Sequence, residues 1–288
     1  MSLFEWLALA ARLDLDGVEL YPRFFASLEP AYLNEVRHAL TDNGLQMPML
    51  CNSPDFTRPD AAERALEVEA TRRMIALTAE LGGGYCRVLS GQNRPGLDPE
   101  QALGWVIDAL GALVSDAEAA GVVLVIENHY KDGLWLYPEF AQSHARYLAI
   151  LDAVDSPWLR VQYDPSNAIV AGEDQYALLE RVLPRVATVQ ASDRYLEGGT
   201  IEDLRGLAAD PRHGYAPFLK HGVVGRGLND YNRIFGTLAR GQWDGWVSIE
   251  DGEGETVEEG MANLRDSAAF LRGKLAQHFG ANARERPV

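Results

Sequence analysis

The sequence predicts an α/β protein whose parallel strands close into a (β/α)8 barrel of the TIM type. Three observations carry this reading. Short apolar strand-like runs alternate with long helical patterns along the chain, as repeated βα units do. A length of 288 residues suits one barrel domain. On four of the strands, polar side chains share one face and fall near the C-terminal end. An open sheet with helices on both sides has two apolar faces. A barrel has a lumen, and its C-terminal rim is where active sites are built.

The elements follow in order. MSLFEWLALAARLDLDG reads as an amphipathic helix. It carries Glu5 before its apolar stretch and has neither a basic region nor a cleavage site, so it is no signal peptide. The first strand-like run is Val18–Tyr21, followed by a helix over Leu28–Asn43, a strand at Met47–Cys51 and a helix over Asp60–Leu81. Gly82-Gly83-Gly84 then precedes a strand rather than a helix, which suits a helix C-terminal turn and not a phosphate cradle. The strand Tyr85–Leu89 turns Arg87 inward with Tyr85. An inward arginine needs a partner, either Glu19 or a substrate anion. In the helix Asp98–Ala120, Asp98 is the cap, Pro99 the first helical residue and Gly121 the stop. The strand Val122–His129 sends Leu124 and Ile126 outward and Glu127 and His129 inward; the helix Pro138–Ala153 follows. In Leu159–Asp164, Gln162 and Asp164 share a face. In Ala187–Ser192, Ala187, Val189 and Ala191 oppose Thr188, Gln190 and Ser192. Tyr195–Gly227 is an insertion rich in Gly, Arg and His, before the helix Asp230–Arg240. In Trp246–Glu250, Val247 and Ile249 oppose Ser248 and Glu250.

Seven strands are readable, so the barrel's first strand is missing from the pattern; an eighth would have to precede Met1. Residues 1–273 make the barrel domain, and 274–288 a C-terminal tail whose last residues fray. There is no internal repeat.

Composition narrows the function. The formal charge is −16, which opposes binding to a phosphate backbone or to anionic lipid. No apolar run approaches the ~18 residues of a membrane span. Cys51 and Cys86 stand in apolar strand-like runs and read as reduced core thiols. The compartment expected from these features is the cytoplasm.

Four polar residues stand at the rim ends of four consecutive strands: Glu127, Asp164, Gln190 and Glu250. Any one alone reads as a helix cap or an arginine partner. Three converging carboxylates, however, repel and raise one another's pKa unless a cation lies between them. One divalent metal ion resolves this, with three carboxylates and an amide oxygen as ligands.

Glu127-Asn128-His129 after an apolar strand, Asp164-Pro165-Ser166-Asn167, a strand ending in Ser192-Asp193, Val224-Gly225-Arg226-Gly227 and Ser248-Ile249-Glu250-Asp251-Gly252 form an ordered set. The set resembles the xylose isomerase-like TIM-barrel superfamily of sugar (phosphate) isomerases and epimerases, over roughly Leu3 to Leu271. The resemblance implies one Mg²⁺, Mn²⁺, Co²⁺ or Zn²⁺ at the four positions, with Glu127 and Glu250 as acid/base groups on opposite sides of the substrate. It also implies a barrel that commonly pairs as a homodimer. Many members carry His-x-Lys-Asp where this chain has Gln190-Ala191-Ser192-Asp193. An all-oxygen shell tilts the metal toward Mn²⁺ or Mg²⁺. Gln190 and the absent lysine resemble members that dehydrate dehydroshikimate or eliminate from 3-keto-glycosides.

The expected function is therefore a metal-dependent isomerase or epimerase of a carbohydrate-like keto compound, acting through a metal-stabilised enediolate. A lyase or dehydratase on the same scaffold is the alternative. A non-catalytic sugar-binding subunit is opposed by the intact carboxylate set. A multi-zinc nuclease is opposed by six scattered His residues and the acidic charge. His129, Asn167, Arg194, Arg226, Arg87 and Glu19 are the candidate substrate contacts. Trp6, Trp135 and Tyr137 read as packing residues.

Overall fold

The computed structural model describes residues 1–208, 217–250 and 254–280. Its strands are β1 (Met49–Cys51), β2 (Tyr85–Val88), β3 (Val123–Glu127), β4 (Leu159–Tyr163), β5 (Val186–Ala191), β6 (Asp193–Leu196), β7 (Leu219–Gly222) and β8 (Val247–Ile249). Six pair in the order β1-β2-β3-β4-β5-β8, every neighbour parallel. The expected strand Val18–Tyr21 is present only as two parallel bridges onto the β1 region, Gly17 to Gln46 and Leu20 to Leu50. The sheet curls until its ends meet. A Cβ on Gly17 would stand 3.1 Å from the Trp246 ring, just ahead of β8. The Ser248 hydroxyl donates to the Glu19 carboxylate across the same seam. The fold is that of the TIM barrel, and among the described residues no further parallel strand joins the sheet.

Among the described residues the α-helices are α1 (Leu3–Ala10), α2 (Pro30–Asp42), α3 (Ala61–Glu80), α4 (Pro99–Ala120), α5 (His144–Ala153), α6 (Pro165–Val170), α7 (Gln175–Val182), α8 (Ile201–Ala208), α9 (Tyr231–Arg240) and α10 (Val257–Phe279). Their ends obey local chemistry. Asp98 accepts from Gln101 N at 2.9 Å at the start of α4. Gly121 closes that helix at φ +66, a conformation glycine adopts without cost. Helix α10 begins in a Thr256/Glu259 capping box and runs unbroken through residue 273, with Leu275 inside the main core. The boundary placed between 273 and 274 therefore falls within a packed helix. Residues 281–288, where fraying is expected, lie outside the described residues, as do Asp251 and Gly252.

The lumen has two storeys. Outward residues such as Leu124, Ile126, Val161, Val189 and Val247 pack against α4, α5, α9 and α10 in the main core. Inside, Met49, Val125 and Ala187, with Cys51, Tyr85 and Val123, form an apolar floor. Above them Gln162, Thr188 and Gln190 are buried and polar. Ala187 departs from the expected outward position. The β4–β5 register jumps from Val161↔Val186 to Gln162↔Thr188, and a bulge of this kind breaks the two-residue alternation. The free Cys86 is buried, and burial pushes its thiol up to about 12.

Candidate active site

Three parallel strands deliver the carboxylates. Glu127 is the last residue of β3, Asp164 follows β4 as the N-cap of α6, and Glu250 follows β8. One oxygen from each lies within 4.8 Å of the others. The β3 and β4 ends are tied together by Asn128, whose side-chain nitrogen donates to Asp164 O at 2.6 Å and whose oxygen accepts from Asp164 N at 2.9 Å. Sequence reading quoted Asn128 without giving it a role; only its partner 36 residues away reveals one.

Asp164 is used on one side only. Its Oδ1 accepts from Ser166 N at 2.7 Å, Asn167 N at 3.0 Å and Ser192 Oγ at 2.8 Å. Its Oδ2 is buried with no hydrogen-bond partner. Burial, and then the charge of Glu250, raises the Asp164 carboxyl to about 8. Glu127 is likewise pushed well above the ordinary carboxylate range by burial. Arg87 opposes that shift, and Glu250 and Asp164 reinforce it. An orphaned buried carboxylate oxygen and two raised carboxyls, Asp164 and Glu127, are what a hard divalent cation with oxygen ligands would satisfy. The donor set therefore fits such an ion.

The remaining candidates separate. Asn167 joins the cluster, donating to Glu127 Oε1 at 3.0 Å. Gln190 is buried on β5, with its side-chain oxygen accepting from Gln162 Nε2. His129 is buried and stacked on Tyr130, with ring centroids 5.2 Å apart. Burial first, then the charges of Arg87 and Arg194, holds its pKa well below the ordinary value, so its imidazole is neutral. Arg194 is fully buried, 3.0 Å from His221 Nε2 and 5.1 Å above Tyr130. Glu19 stands in the seam, held by Ser248 and by Cys51 Sγ at 3.5 Å, and burial raises it to about 7. Arg226 is not brought in. It is exposed and pairs with Asp266 of α10 at 2.7 Å. Arg87 pairs with Glu127, its Nη1 donating to Oε2 at 2.8 Å, and its charge also acts on Glu19.

The insertion after β5 is an antiparallel hairpin of β6 and β7, which sequence reading did not resolve. It hangs from Asp193, whose two oxygens accept from the backbone N–H groups of Arg194, Gly225, Gly227 and Asn229. The one available signal was an acidic residue followed some thirty positions later by Gly-Arg-Gly.

The sequence profile of the xylose isomerase-like TIM barrel matches residues 7–273. The chain belongs to this family. A curated relative, inosose dehydratase of Bacillus thuringiensis (strain Al Hakam), is 21% identical over 188 residues, covering 64% of this chain and 58% of the relative. The match thus spans little more than half the relative's length. Among solved structures of the same fold, IOLI protein with a binding zinc atom superposes with a TM-score of 0.75 at 15% identity, covering 97% of this chain and 95% of that one. D-psicose 3-epimerase in the presence of D-fructose superposes with a TM-score of 0.73 at 15% identity, covering 98% and 95%. Proteins similar to this chain in sequence or in fold thus include a dehydratase and an epimerase.

Proposed function

We propose that this member of the xylose isomerase-like family is a divalent-metal-dependent isomerase or epimerase of a sugar-like keto compound. The reading rests on the convergence of Glu127, Asp164 and Glu250 within 4.8 Å, with the Asp164 Oδ2 left over. These three and the Gln190 amide oxygen would hold the ion. All four donors are oxygens, which favours Mn²⁺ or Mg²⁺ over Co²⁺ or Zn²⁺. When bound, the ion would supply Lewis acidity to a carbonyl and an adjacent hydroxyl. Glu250, whose side chain makes no hydrogen bond among the described residues, takes the proton from the carbon next to the carbonyl. Glu127, on the opposite side of the substrate, returns a proton. The neutral His129 can donate to or accept from a substrate hydroxyl. Asn167 donates to Glu127 and the charge of Arg194 acts on Asp164, and these two are further candidate substrate contacts. The elimination reading is the alternative. It is supported by Gln190 in place of histidine and by the dehydratase among the relatives.

Proton NMR in deuterated water, with Mn²⁺ and D-psicose, D-fructose, an inosose and 3-dehydroshikimate in turn, separates the two. Isomerisation or epimerisation places solvent deuterium at the exchanging carbon. Elimination gives an unsaturated product. Activity above a tenth of wild type in both Glu127→Gln and Glu250→Gln overturns the acid/base assignment.

A further inference from the structure

We propose that Arg87 is the built-in countercharge of the carboxylate cluster, a positioning residue that holds Glu127 and brings the cluster's charge to the value that one divalent ion neutralises. The inference rests on the metal reading above and concerns only this chain's side chains.

Arg87 lies mid-strand on β2, one strand from Glu127, and is only 8% exposed. Every nitrogen of its guanidinium is spent on the protein. Nη1 donates to Glu127 Oε2 at 2.8 Å, Nη2 to Ser53 Oγ at 2.8 Å, and Nε to Asn52 O at 3.4 Å. A side chain tied at three points on a barrel strand is not available to a substrate anion. The pair is also a poor stability device, because burying two ions costs about what their attraction returns. Its effect lies in the charge it sets.

Glu127, Asp164 and Glu250 carry a formal −3 when ionised, and Arg87 reduces this to −2. A divalent ion then brings the set to zero. Counted over these four side chains and the ion, the negative charge that develops when a proton leaves a hydroxy-ketone would form against a sum of zero rather than −1, with buried Arg194 and Glu19 adding one group of each sign nearby. In a low-dielectric site that difference acts directly on the barrier. Position is set as well. Arg87 takes Glu127 Oε2 and Asn167 takes Oε1 at 3.0 Å, so the carboxylate plane is fixed from both ends, while Glu250 is not so held. Asn167 keeps its grip when Arg87 is changed. Loss of Arg87 thus removes a charge more than it removes a ligand.

The expected signature is a split that loss of structure does not produce. Titration calorimetry with Mn²⁺ should show Arg87→Met binding the ion at least tenfold more tightly than wild type, about 1.4 kcal/mol, because a cation has left the ion's neighbourhood. Arg87→Gln, which keeps a hydrogen bond to Glu127 and fills more of the space, should do the same. Arg87→Lys restores the charge and should bind within about threefold of wild type. Turnover of any substrate found by the NMR assay should fall at least tenfold in Arg87→Met despite the tighter ion. Unchanged or weaker Mn²⁺ binding in folded Arg87→Met or Arg87→Gln overturns the proposal, as does tenfold tighter binding in Arg87→Lys. Wild-type protein that binds no Mn²⁺, Mg²⁺ or Zn²⁺ overturns the metal reading itself, and this proposal with it.

Discussion

Replacing Asp193 by Asn tests whether one carboxylate suspends the β6–β7 hairpin beside the site. Its Oδ2 accepts from Gly225 N at 3.0 Å and Gly227 N at 2.9 Å, and its Oδ1 from Arg194 N at 3.0 Å and Asn229 N at 3.1 Å. An amide keeps the shape but turns one oxygen into a donor. Whichever way it rotates, two backbone N–H groups then face an N–H instead of an acceptor. Each unsatisfied buried donor costs about 1–3 kcal/mol, so two cost about 2–4 kcal/mol once partial exposure is counted. For a domain of this size, 1 kcal/mol moves Tm by about 2–4 °C, giving a fall of roughly 5–15 °C. The loop cannot close the gap by shifting, because a Cβ on Gly227 would already collide with Arg194 O and the Asp193 carboxylate. Thermal unfolding followed by circular dichroism reads the stability, and hydrogen exchange at Gly225 and Gly227 reads the loop. A Tm within 2 °C of wild type with unchanged amide protection refutes the suspension.

Two further outcomes follow from buried carboxyls. Glu139 is buried, with one oxygen held by Ser90 N at 2.7 Å and the other unpartnered, and burial raises it from 4.5 to about 8. The fold favours its protonated form, so this contribution is greatest below the unfolded pKa and is lost as pH climbs to about 8. Glu139→Gln should therefore stabilise the protein more at pH 8 than at pH 5, by at most about 3 kcal/mol in urea unfolding. Asp164, raised to about 8, must lose its proton to bind an ion. Glu127, pushed up by burial as well, must do the same, so Mn²⁺ affinity should climb at least tenfold per unit between pH 6 and 8, with about one to two protons released per ion in calorimetry across buffers. For the same reason, chelation should lower Tm more at pH 8 than at pH 6.

Much of this architecture was legible because burial writes itself into alternation. All six strands of the sheet fall inside runs read from the sequence or within one residue of them, and the outward set Leu124, Ile126 and Val247 packs on helices as parity requires. The convergence of Glu127, Asp164 and Glu250 was legible from the same parity, since βα repetition places successive strand ends on one rim. Contacts between distant loops were not legible. Nothing local distinguishes Arg226, which ends on Asp266, from Arg194, which is fully buried. The partner of Arg87 lies 40 residues away on the next strand. The bulge that turns Ala187 inward is a property of paired strands. The run Val18–Tyr21, read as a strand, pairs with its neighbour only through isolated bridges at Gly17 and Leu20.

The two-storey lumen also bears on traffic into the barrel. Beneath the carboxylates lies a dry floor of Met49, Val125 and Ala187. Field lines from a charged ring above a low-dielectric plug spread mainly through the open mouth. While it holds no ion, the ionised ring in a chain of charge −16 therefore draws cations toward the opening and slows the approach of phosphorylated compounds. Both effects weaken as added salt shortens the screening length. Capture of a divalent ion should thus be fastest in dilute buffer, and uncharged polyols should enter at rates that ionic strength leaves unchanged.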